Sequence, residues 1–347
     1  MAGMAADTTA EPGALRLRSS FRGRPRPVVL VPLAVLALVV IGVLSMMYGA
    51  VNLTFPEVWS GLTSNSNVFA HNVVWQIRYP RLLDGMIVGA SLAVAGSLLQ
   101  GVTRNPLADP TILGITAAAG LASATAIVID RQIPQWGIAM SCVGGGLFGA
   151  AILFGIAWRG AISPVRLALA GVALSAFFGA AIVALLSSSR TFLQTSLGFL
   201  AGGLYGAEWN DFHAMLPYVI PGLVFAWLLS GRLNVLALGD DVAAGLGVAT
   251  DRTRLLILAV CGVLTGAAVS VAGLVSFVGL VCPHLARFTV GPDNRYQIPV
   301  SALYGAILVA AADLVARLVI APSEIPMGII TAGVGAPFLL YLVKVKG

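Results

Sequence analysis

Arg78-Tyr-Pro-Arg81 stands immediately before an apolar run, residues 82–101, and the block Asn105-Pro-Leu-Ala-Asp-Pro110 follows that run. The run contains a single charged residue, Asp84. As a helix it would extend about 30 Å, which is the thickness of the hydrocarbon core of a bilayer. The prolines of the two flanking blocks are suited to the first turn of a helix and to the turn beyond its end. This stretch therefore predicts a membrane-spanning helix with paired arginines at one end.

The composition extends this conclusion to the whole chain. Of 347 residues, 58% are hydrophobic and only 10% are charged. A soluble domain carries about 25% charged residues, so this chain lacks the polar side chains that a water-facing surface needs. The three cysteines show no CxxC spacing, which disfavours a metal site or a disulfide framework. We therefore expect an all-α polytopic membrane protein.

Further apolar segments of spanning length follow along the chain. The segment 255–285 is too long for one upright span, because as one helix it would extend about 46 Å, and Gly266 and Gly273 interrupt it. We interpret it as a hairpin of one full and one short span, which brings the prediction to about ten transmembrane helices. The other predicted spans lie near residues 28–50, 82–101, 111–129, 136–158, 165–186, 212–230, 297–320 and 327–343.

The arginines and lysines support this count and orient the spans, because loop cations of polytopic proteins gather on the cytoplasmic face. With ten spans and a cytoplasmic N-terminus, fifteen of the twenty cations fall on that face. They are Arg16, Arg18, Arg22, Arg24, Arg26, Arg104, Arg159, Arg166, Arg232, Arg252, Arg254, Arg287, Arg295, Lys344 and Lys346. The outer face receives Arg78, Arg81, Arg131, Arg190 and Arg317. We predict cytoplasmic termini, a disordered basic tail over residues 1–27 and a transmembrane domain over residues 28–347.

Two more blocks stand in the second half of the chain, Ser276-Phe-Val-Gly-Leu-Val-Cys-Pro-His-Leu-Ala-Arg287 and Ser323-Glu-Ile-Pro-Met-Gly-Ile-Ile-Thr-Ala-Gly-Val-Gly-Ala-Pro-Phe338. Together with the first stretch, they resemble the FecCD family of ABC transporter permeases, which import iron-siderophore complexes, haem and cobalamin. The resemblance implies a type II ABC importer permease of the cytoplasmic membrane, paired with an identical or paralogous permease. It also implies two copies of an ATP-binding subunit and an extracellular or periplasmic substrate-binding protein as partners. The chain departs from the family pattern at Phe199-Leu-Ala-Gly-Gly203, which leaves the extracellular segment 190–210 open.

Arginines mark the outer ends of two predicted spans, with Arg78 and Arg81 before the second and Arg317 at the end of the ninth. Asp84 follows Arg81 by three residues and Asp313 precedes Arg317 by four, spacings at which helical side chains pair. Arginines at span ends often only snorkel toward the membrane surface. The resemblance implies that all three receive acidic residues of the binding protein. We expect docking for the first pair, while snorkelling stays an open alternative for Arg317.

The longest cytoplasmic loop contains Leu236-Ala-Leu-Gly-Asp-Asp-Val-Ala-Ala-Gly-Leu-Gly-Val248. We interpret it as a short helix that begins at the aspartates and ends near Gly245 and Gly247. An ordinary surface helix would show the same features, but the resemblance implies the segment that couples to the ATPase subunit. The expected coupling residues are Gly239, Asp240, Asp241, Ala244, Gly245 and Leu246.

The family motifs also contain two cytoplasmic turns, whose residues are Asn105, Pro106, Pro110, Pro283, His284 and Arg287. Proline prevents helix continuation, and Asp109 is placed to cap the third span. We predict a structural role for both turns, and analogy with the family adds an ATPase contact for Arg287. His284 has no second ligand at metal-binding spacing, so we expect neither a metal nor another cofactor.

Missing motifs narrow the function further. A Walker A loop needs a lysine after its glycines, and Lys344 and Lys346 do not follow such a loop. We therefore expect no ATPase site and no enzymatic activity. An ion-coupled carrier is the alternative class, and it needs a carboxylate at mid-membrane, for which Asp84 and Asp313 are the nearest candidates. The predicted function is ATP-driven import of a ferric siderophore, with cobalamin or haem as alternative substrates.

Overall fold

The computed structural model describes residues 27–64, 67–157, 164–187 and 198–346, and every regular element in these ranges is a helix. The predicted basic tail, up to residue 26, lies outside the described residues, as do residues 190–197 of the predicted extracellular segment. The helices are α1 (Pro27–Met47), α2 (Phe55–Thr63), α3 (Val68–Asn72), a π-helical stretch (Val73–Arg78), α4 (Tyr79–Thr103), α5 (Ile115–Ile129), α6 (Gln135–Ala157), α7 (Pro164–Ser187), α8 (Trp209–Leu228), α9 (Ser230–Leu236), α10 (Asp240–Gly245), α11 (Thr250–Ala272), α12 (Val278–Val290), α13 (Asn294–Leu318) and α14 (Met327–Lys346).

Ten of these helices are apolar, which agrees with the predicted number of spans. Within the described ranges, seven helical segments are long and apolar enough to cross a membrane: α1, the continuous segment Val68–Thr103, α6, α7, α8, α11 and α13. Three shorter apolar helices, α5, α12 and α14, complete the set. The all-α polytopic fold is therefore confirmed.

The segment 255–285 breaks at Gly273, the second of the two glycines that were expected to interrupt it. Helix α11 ends at Ala272, Gly273 has φ +65°, and α12 begins at Val278. Positive φ costs little at glycine, which has no Cβ. Gly266, in contrast, continues α11, because the helix packs so closely on α6 that a Cβ there would meet the carbonyl of Cys142 at 2.5 Å. The predicted hairpin is thus confirmed with a single break.

Helix α4 is the central helix of the fold and packs against α8, α11, α12 and α13. Most of its residues are buried. At two crossings the partner is glycine: a Cβ at Gly89 would overlap the backbone of Gly305, and one at Gly96 would overlap that of Gly279. Small residues allow such close backbone approach, which stabilises helix packing in lipid. The middle of α4 is therefore packed closely against its neighbours.

Candidate functional site

The arginine end of α4 meets the end of α13 in a buried ion cluster. Arg81 donates from Nη2 to Asp313 Oδ1 at 2.8 Å and to Glu324 Oε2 at 2.9 Å. Arg317 approaches the other oxygen of Asp313 at 3.1 Å. One carboxylate thus pairs with two arginines, and the pairing of Asp313 with Arg317 is confirmed. We define Arg78, Arg81, Asp313, Arg317 and Glu324 as the outer cluster.

The remaining hydrogen bonds of the cluster hold the end of α1. Arg78 donates to the carbonyls of Met46 and Val51. Arg317 donates to the hydroxyl of Ser45 at 2.5 Å. The last carbonyls of a helix have no partner within the helix, so arginine donors that reach them stabilise the helix end. The cluster therefore joins α1, α4 and α13 at one end of the molecule.

The guanidinium groups of the outer cluster face the protein interior. Arg78 is 4% exposed, Arg81 9% and Arg317 5%. Their ion pairs and carbonyl contacts keep them from extending along the membrane surface, so snorkelling does not describe Arg317. Docking of a partner on these three arginines stays a prediction, since the structure holds one chain.

Asp84 does not form the ion pair with Arg81 that the spacing predicts. Arg81 bonds Asp313 and Glu324 instead, at 2.8 and 2.9 Å. Asp84 is fully buried, and neither of its oxygens accepts a hydrogen bond within the described part of the chain. Unpartnered burial of this kind is costly for a carboxylate.

An aromatic group that the sequence reasoning missed lies at the same end. The rings of Trp75 and Tyr79 stack with centroids 5.3 Å apart, and Trp209 contacts both at 5.6 Å. The Trp209 indole donates to the carbonyl of Trp75 at 2.9 Å. The spacing of Trp75 and Tyr79, one helical turn apart beside Arg78, is a signal that could have indicated it.

A cavity of about 660 Å³ opens beside the outer cluster. Arg81, Asp313 and Glu324 contribute its polar side, and Phe199, Tyr205 and Met327 are among its apolar lining residues. The cavity therefore combines apolar surface with a fixed group of charges. Among the described residues, no group of three or more His, Cys, Asp or Glu side chains is placed to hold a metal ion.

At the opposite end, the predicted coupling segment forms α10, which begins at Asp240 as expected. Asp240 accepts a hydrogen bond from Arg254 of α11 at 2.7 Å, and Arg104 at the end of α4 pairs with the same oxygen. Burial acts to raise the pKa of Asp240, but the hydrogen bond and charge of Arg254 and the charge of Arg104 outweigh it and hold that pKa below its ordinary value. Arg104 also donates to the carbonyl of Leu236 at 3.0 Å. Two spanning helices are thus tied to α10 through one carboxylate.

The other predicted coupling residues lie on the free side of α10. The exposed residues are Asp241, Ala244, Gly245 and Leu246, and the exposed fraction of Leu246 is 63%. A Cβ at Gly245 would meet no atom within 4 Å, whereas Gly239, with φ +117°, forms the turn that begins the helix. The arrangement leaves a small, accessible helix face that is fixed to the spans from behind.

The two proline turns pack against each other rather than lying free at the surface. Asp109 is buried and accepts hydrogen bonds from the backbone N–H groups of Thr111, at 2.8 Å, and Leu280. Helix α5 starts only at Ile115, with Gly114 as its N-cap, so the expectation that Asp109 caps the third span is wrong. The carboxylate lies between its own turn and the first turn of α12, and so joins the two.

The other turn residues surround this contact. The Gln100 amide N–H group donates to the carbonyls of Gly279 and Leu280 at 3.3 Å. Its amide oxygen accepts a hydrogen bond from the Arg287 guanidinium at 3.4 Å. The carbonyl of Pro283 accepts from Gln297 at 3.3 Å, and the His284 ring contacts Phe338. Asn105 accepts from the Leu107 N–H at 2.9 Å within its own turn, beside Pro106 and Pro110. These contacts support the structural role that was predicted for both turns.

Comparison with known proteins places this arrangement in a family. A sequence model of the FecCD transport family matches residues 37–345. The iron(3+)-hydroxamate import system permease protein FhuB of Bacillus subtilis (strain 168) is 38% identical over 321 residues, which cover 91% of this chain and 83% of FhuB. The cobalamin import system permease protein BtuC of Halobacterium salinarum is 42% identical over 276 residues, 79% of this chain and 74% of BtuC.

A solved structure gives the same result for the fold. The structure of a transporter described as of the metal-chelate ABC type, in an inward-facing conformation, superposes with a TM-score of 0.80. The two sequences are 30% identical, and the match covers 91% of this chain and 98% of the other.

Proposed function

The chain belongs to the FecCD transport family, and we propose that it is the membrane-spanning permease subunit of an ABC importer for ferric siderophores. The observation that carries this proposal is α10, a short exposed helix that is tied by Asp240 to two spanning helices. An importer whose energy comes from a separate ATPase needs such a contact, because the movement of the ATPase must reach the spans. The membrane location in this proposal is the cytoplasmic membrane, with both termini inside the cell.

The proposed assembly contains two permeases, identical or paralogous, two ATP-binding subunits and an extracellular substrate-binding protein. Each ATPase subunit contacts the exposed face of α10. A displacement of α10 acts on α4 through Arg104 and on α11 through Arg254, because both arginines bond Asp240. Alternating access then moves the solute without chemistry on it, so the permease itself is not an enzyme.

For docking of the binding protein we propose an electrostatic role of the outer cluster. Its three arginines and two carboxylates carry a net charge of +1 at the outer end. A buried net charge creates a field at the surface above it, which favours acidic groups on a partner. In this proposal Arg78, Arg81 and Arg317 attract the binding protein while they remain bonded inside the permease.

Ferric siderophore is the proposed substrate because FhuB, a relative that covers most of the chain, is named for iron(3+)-hydroxamate import. Cobalamin is the alternative on the same machinery, in view of the similarity to BtuC, and haem is a further one. An ion-coupled carrier is a weaker candidate. Asp313 already forms ion pairs with two arginines, which leaves Asp84 as the carboxylate to examine for a driving ion.

Uptake of labelled substrate by whole cells tests the proposal. A strain that lacks this gene should lose uptake of at least one radio-iron siderophore, and the gene should restore it. Labelled cobalamin and haem are measured in parallel. Cells in which the Walker A lysine of the ATP-binding subunit has been substituted, so that this subunit no longer hydrolyses ATP, serve as the energy control. Uptake that persists in this control but collapses with the ion gradient would replace the importer by the ion-coupled carrier.

A further inference from the structure

An apolar groove of about 570 Å³ runs between α8 and α11 on the outside of the bundle. Pro217, Pro221 and Phe225 line it from α8, and Leu256, Ala259 and Val263 line it from α11. Phe225 is 56% exposed and Leu256 48% exposed, so the groove is open along its length rather than enclosed. The two helices touch where Leu264 packs against Gly222.

The groove lies at the depth of the hydrocarbon, because both helices that form it are spanning helices. Apolar surface that is open at this depth faces lipid tails, and water cannot fill it. An acyl chain therefore matches the chemistry of its walls. A lipid tail alone gains little by leaving other tails, so any selectivity has to come from a polar group at one end of the groove.

Arg232 supplies that polar group. It lines the groove from α9, just beyond the last turn of α8, at the end of the molecule that carries α10. Its side chain is exposed and makes no ion pair or hydrogen bond to any residue in the part of the chain that the structure describes. In the proposed orientation this end is cytoplasmic, so the guanidinium group reaches the level of the inner phosphate groups.

We propose that the groove binds an anionic phospholipid of the cytoplasmic leaflet, with one acyl chain between α8 and α11 and the phosphate on Arg232. Basic pockets between spanning helices on this side of a membrane bind anionic headgroups. The arginine fork pairs with two phosphate oxygens at once, which lysine cannot reproduce. The bound headgroup lies beside α9, the helix that leads into α10, so the lipid supports the segment from which coupling starts.

The test uses the purified full-length chain in detergent, stripped of lipid and titrated with phosphatidylglycerol or phosphatidylcholine of matched acyl chains. Binding is followed by native mass spectrometry and by the midpoint of thermal unfolding. One arginine near an anionic headgroup is expected to give phosphatidylglycerol about a fivefold preference. Arg232→Gln should reduce this preference to about one. Arg252→Gln, which removes an exposed cation of α11 outside the groove, should leave it unchanged.

A second variant examines the groove itself. Ala259→Leu fills part of the groove wall and should weaken the binding of both lipids while the remaining preference for phosphatidylglycerol persists. Equal binding of the two lipids by the wild-type chain would overturn the proposal. So would an equal loss in the two arginine variants, because that result assigns the preference to overall charge. The Arg232→Gln variant is also purified together with the ATP-binding subunit. If the substitution released a protein subunit from that complex, the groove would be a protein interface and the lipid assignment would be wrong.

Discussion

At the residue scale, Asp313 determines the stability of the outer cluster because it is shared by Arg81 and Arg317. Asp313→Asn leaves two buried arginines with one remaining carboxylate, Glu324. Removal of one partner from a buried ion pair costs about 3 kcal/mol of stability. Glu324→Gln is the matched control: Glu324 is more exposed and Arg81 keeps Asp313, so its cost is expected to stay near 1 kcal/mol. Thermal unfolding in detergent measures both, and an equal loss in the two variants would contradict the shared-carboxylate interpretation.

At the residue scale, a substitution of Asp84 distinguishes an ATP-driven permease from an ion-coupled carrier. Its carboxyl group is buried without a hydrogen-bond partner in the described structure, so Asp84→Asn should be neutral for stability or stabilise by about 1 kcal/mol. Uptake should remain within about twofold of the wild type, because an ATP-driven permease does not use this carboxyl group. The measurement is siderophore uptake at equal protein level. Abolished uptake by a stable Asp84→Asn protein would instead assign the driving ion to this residue.

The outer cluster also shows where prediction from the sequence ends. The presence of Arg78, Arg81 and Arg317 at span ends and the pairing of Arg317 with Asp313 follow from spacing along a helix. The bond between Arg81 and Asp313 joins residues 232 positions apart, and helix spacing carries no information about it. For that reason, helix spacing predicts Asp84 as the ion-pair partner of Arg81. It does not predict that Asp313, a carboxylate on a neighbouring helix, takes that place.

At the scale of elements, Asp240 is the connection between α10 and the spanning helices. Asp240→Asn keeps the shape of the side chain but removes the charge that Arg104 and Arg254 share. We expect about a fivefold or greater loss in solute transported per ATP hydrolysed, with ATPase binding retained. Asp251→Asn, in the first turn of α11 and outside the coupling segment, is the control and should transport normally. The measurement is coupled uptake in proteoliposomes, and equal behaviour of the two variants would rule out Asp240 as the connection.

The pH dependence of this connection follows from the lowered pKa of Asp240. A carboxyl group whose pKa is lower in the folded state stabilises that state above its ordinary pKa of about 4, and this contribution is lost as the pH falls through the folded value. Asp240 is therefore ionised throughout the physiological range. The defect of Asp240→Asn should accordingly be the same at pH 6 and pH 8.

The exposed face of α10 yields a second prediction at this scale. Gly245→Trp adds a large side chain where no atom lies within 4 Å, so the permease should fold normally while the approach of the ATPase is blocked. Co-purification of the ATP-binding subunit should fall at least tenfold. Gly155→Trp is a fair control, since Gly155 in α6 is equally open on another face. Retained ATPase binding by the Gly245 variant would show that the coupling contact lies elsewhere.

The elements themselves were largely predictable from the sequence, for physical reasons that differ along the chain. Apolar length gives the spans, and the left-handed backbone at Gly273 gives the break between α11 and α12. The cap of the third span was predicted wrongly because α5 begins only at Ile115, and the Asp109 carboxylate accepts from Thr111 in its own turn and from Leu280 of α12, far away along the chain. Local capping rules assume that the nearest helix is the recipient, and a turn that packs inside the fold does not meet that assumption.

At the scale of the whole molecule, the proposed orientation in the membrane rests on where exposed cations lie. Arg78, Arg81 and Arg317 at one end are buried beside carboxylates, whereas Arg232, Arg252 and Arg295 at the other end are exposed. Exposed loop cations are retained on the cytoplasmic side. The α10 end should therefore face the cytoplasm, which is also where an ATPase finds ATP.

Single-cysteine labelling tests this orientation directly. The native residues Cys142, Cys261 and Cys282 are all buried, so an impermeant maleimide should leave the wild-type chain unlabelled in intact membranes. Tyr205 is 87% exposed and lies at the same end of the molecule as the outer cluster. A cysteine at this position, Tyr205→Cys, should therefore be labelled from outside. Leu238→Cys, at a position 62% exposed next to α10, should react only in inside-out vesicles. The reverse pattern would place α10 outside the cell and, with it, remove the basis for ATP-driven coupling through Asp240.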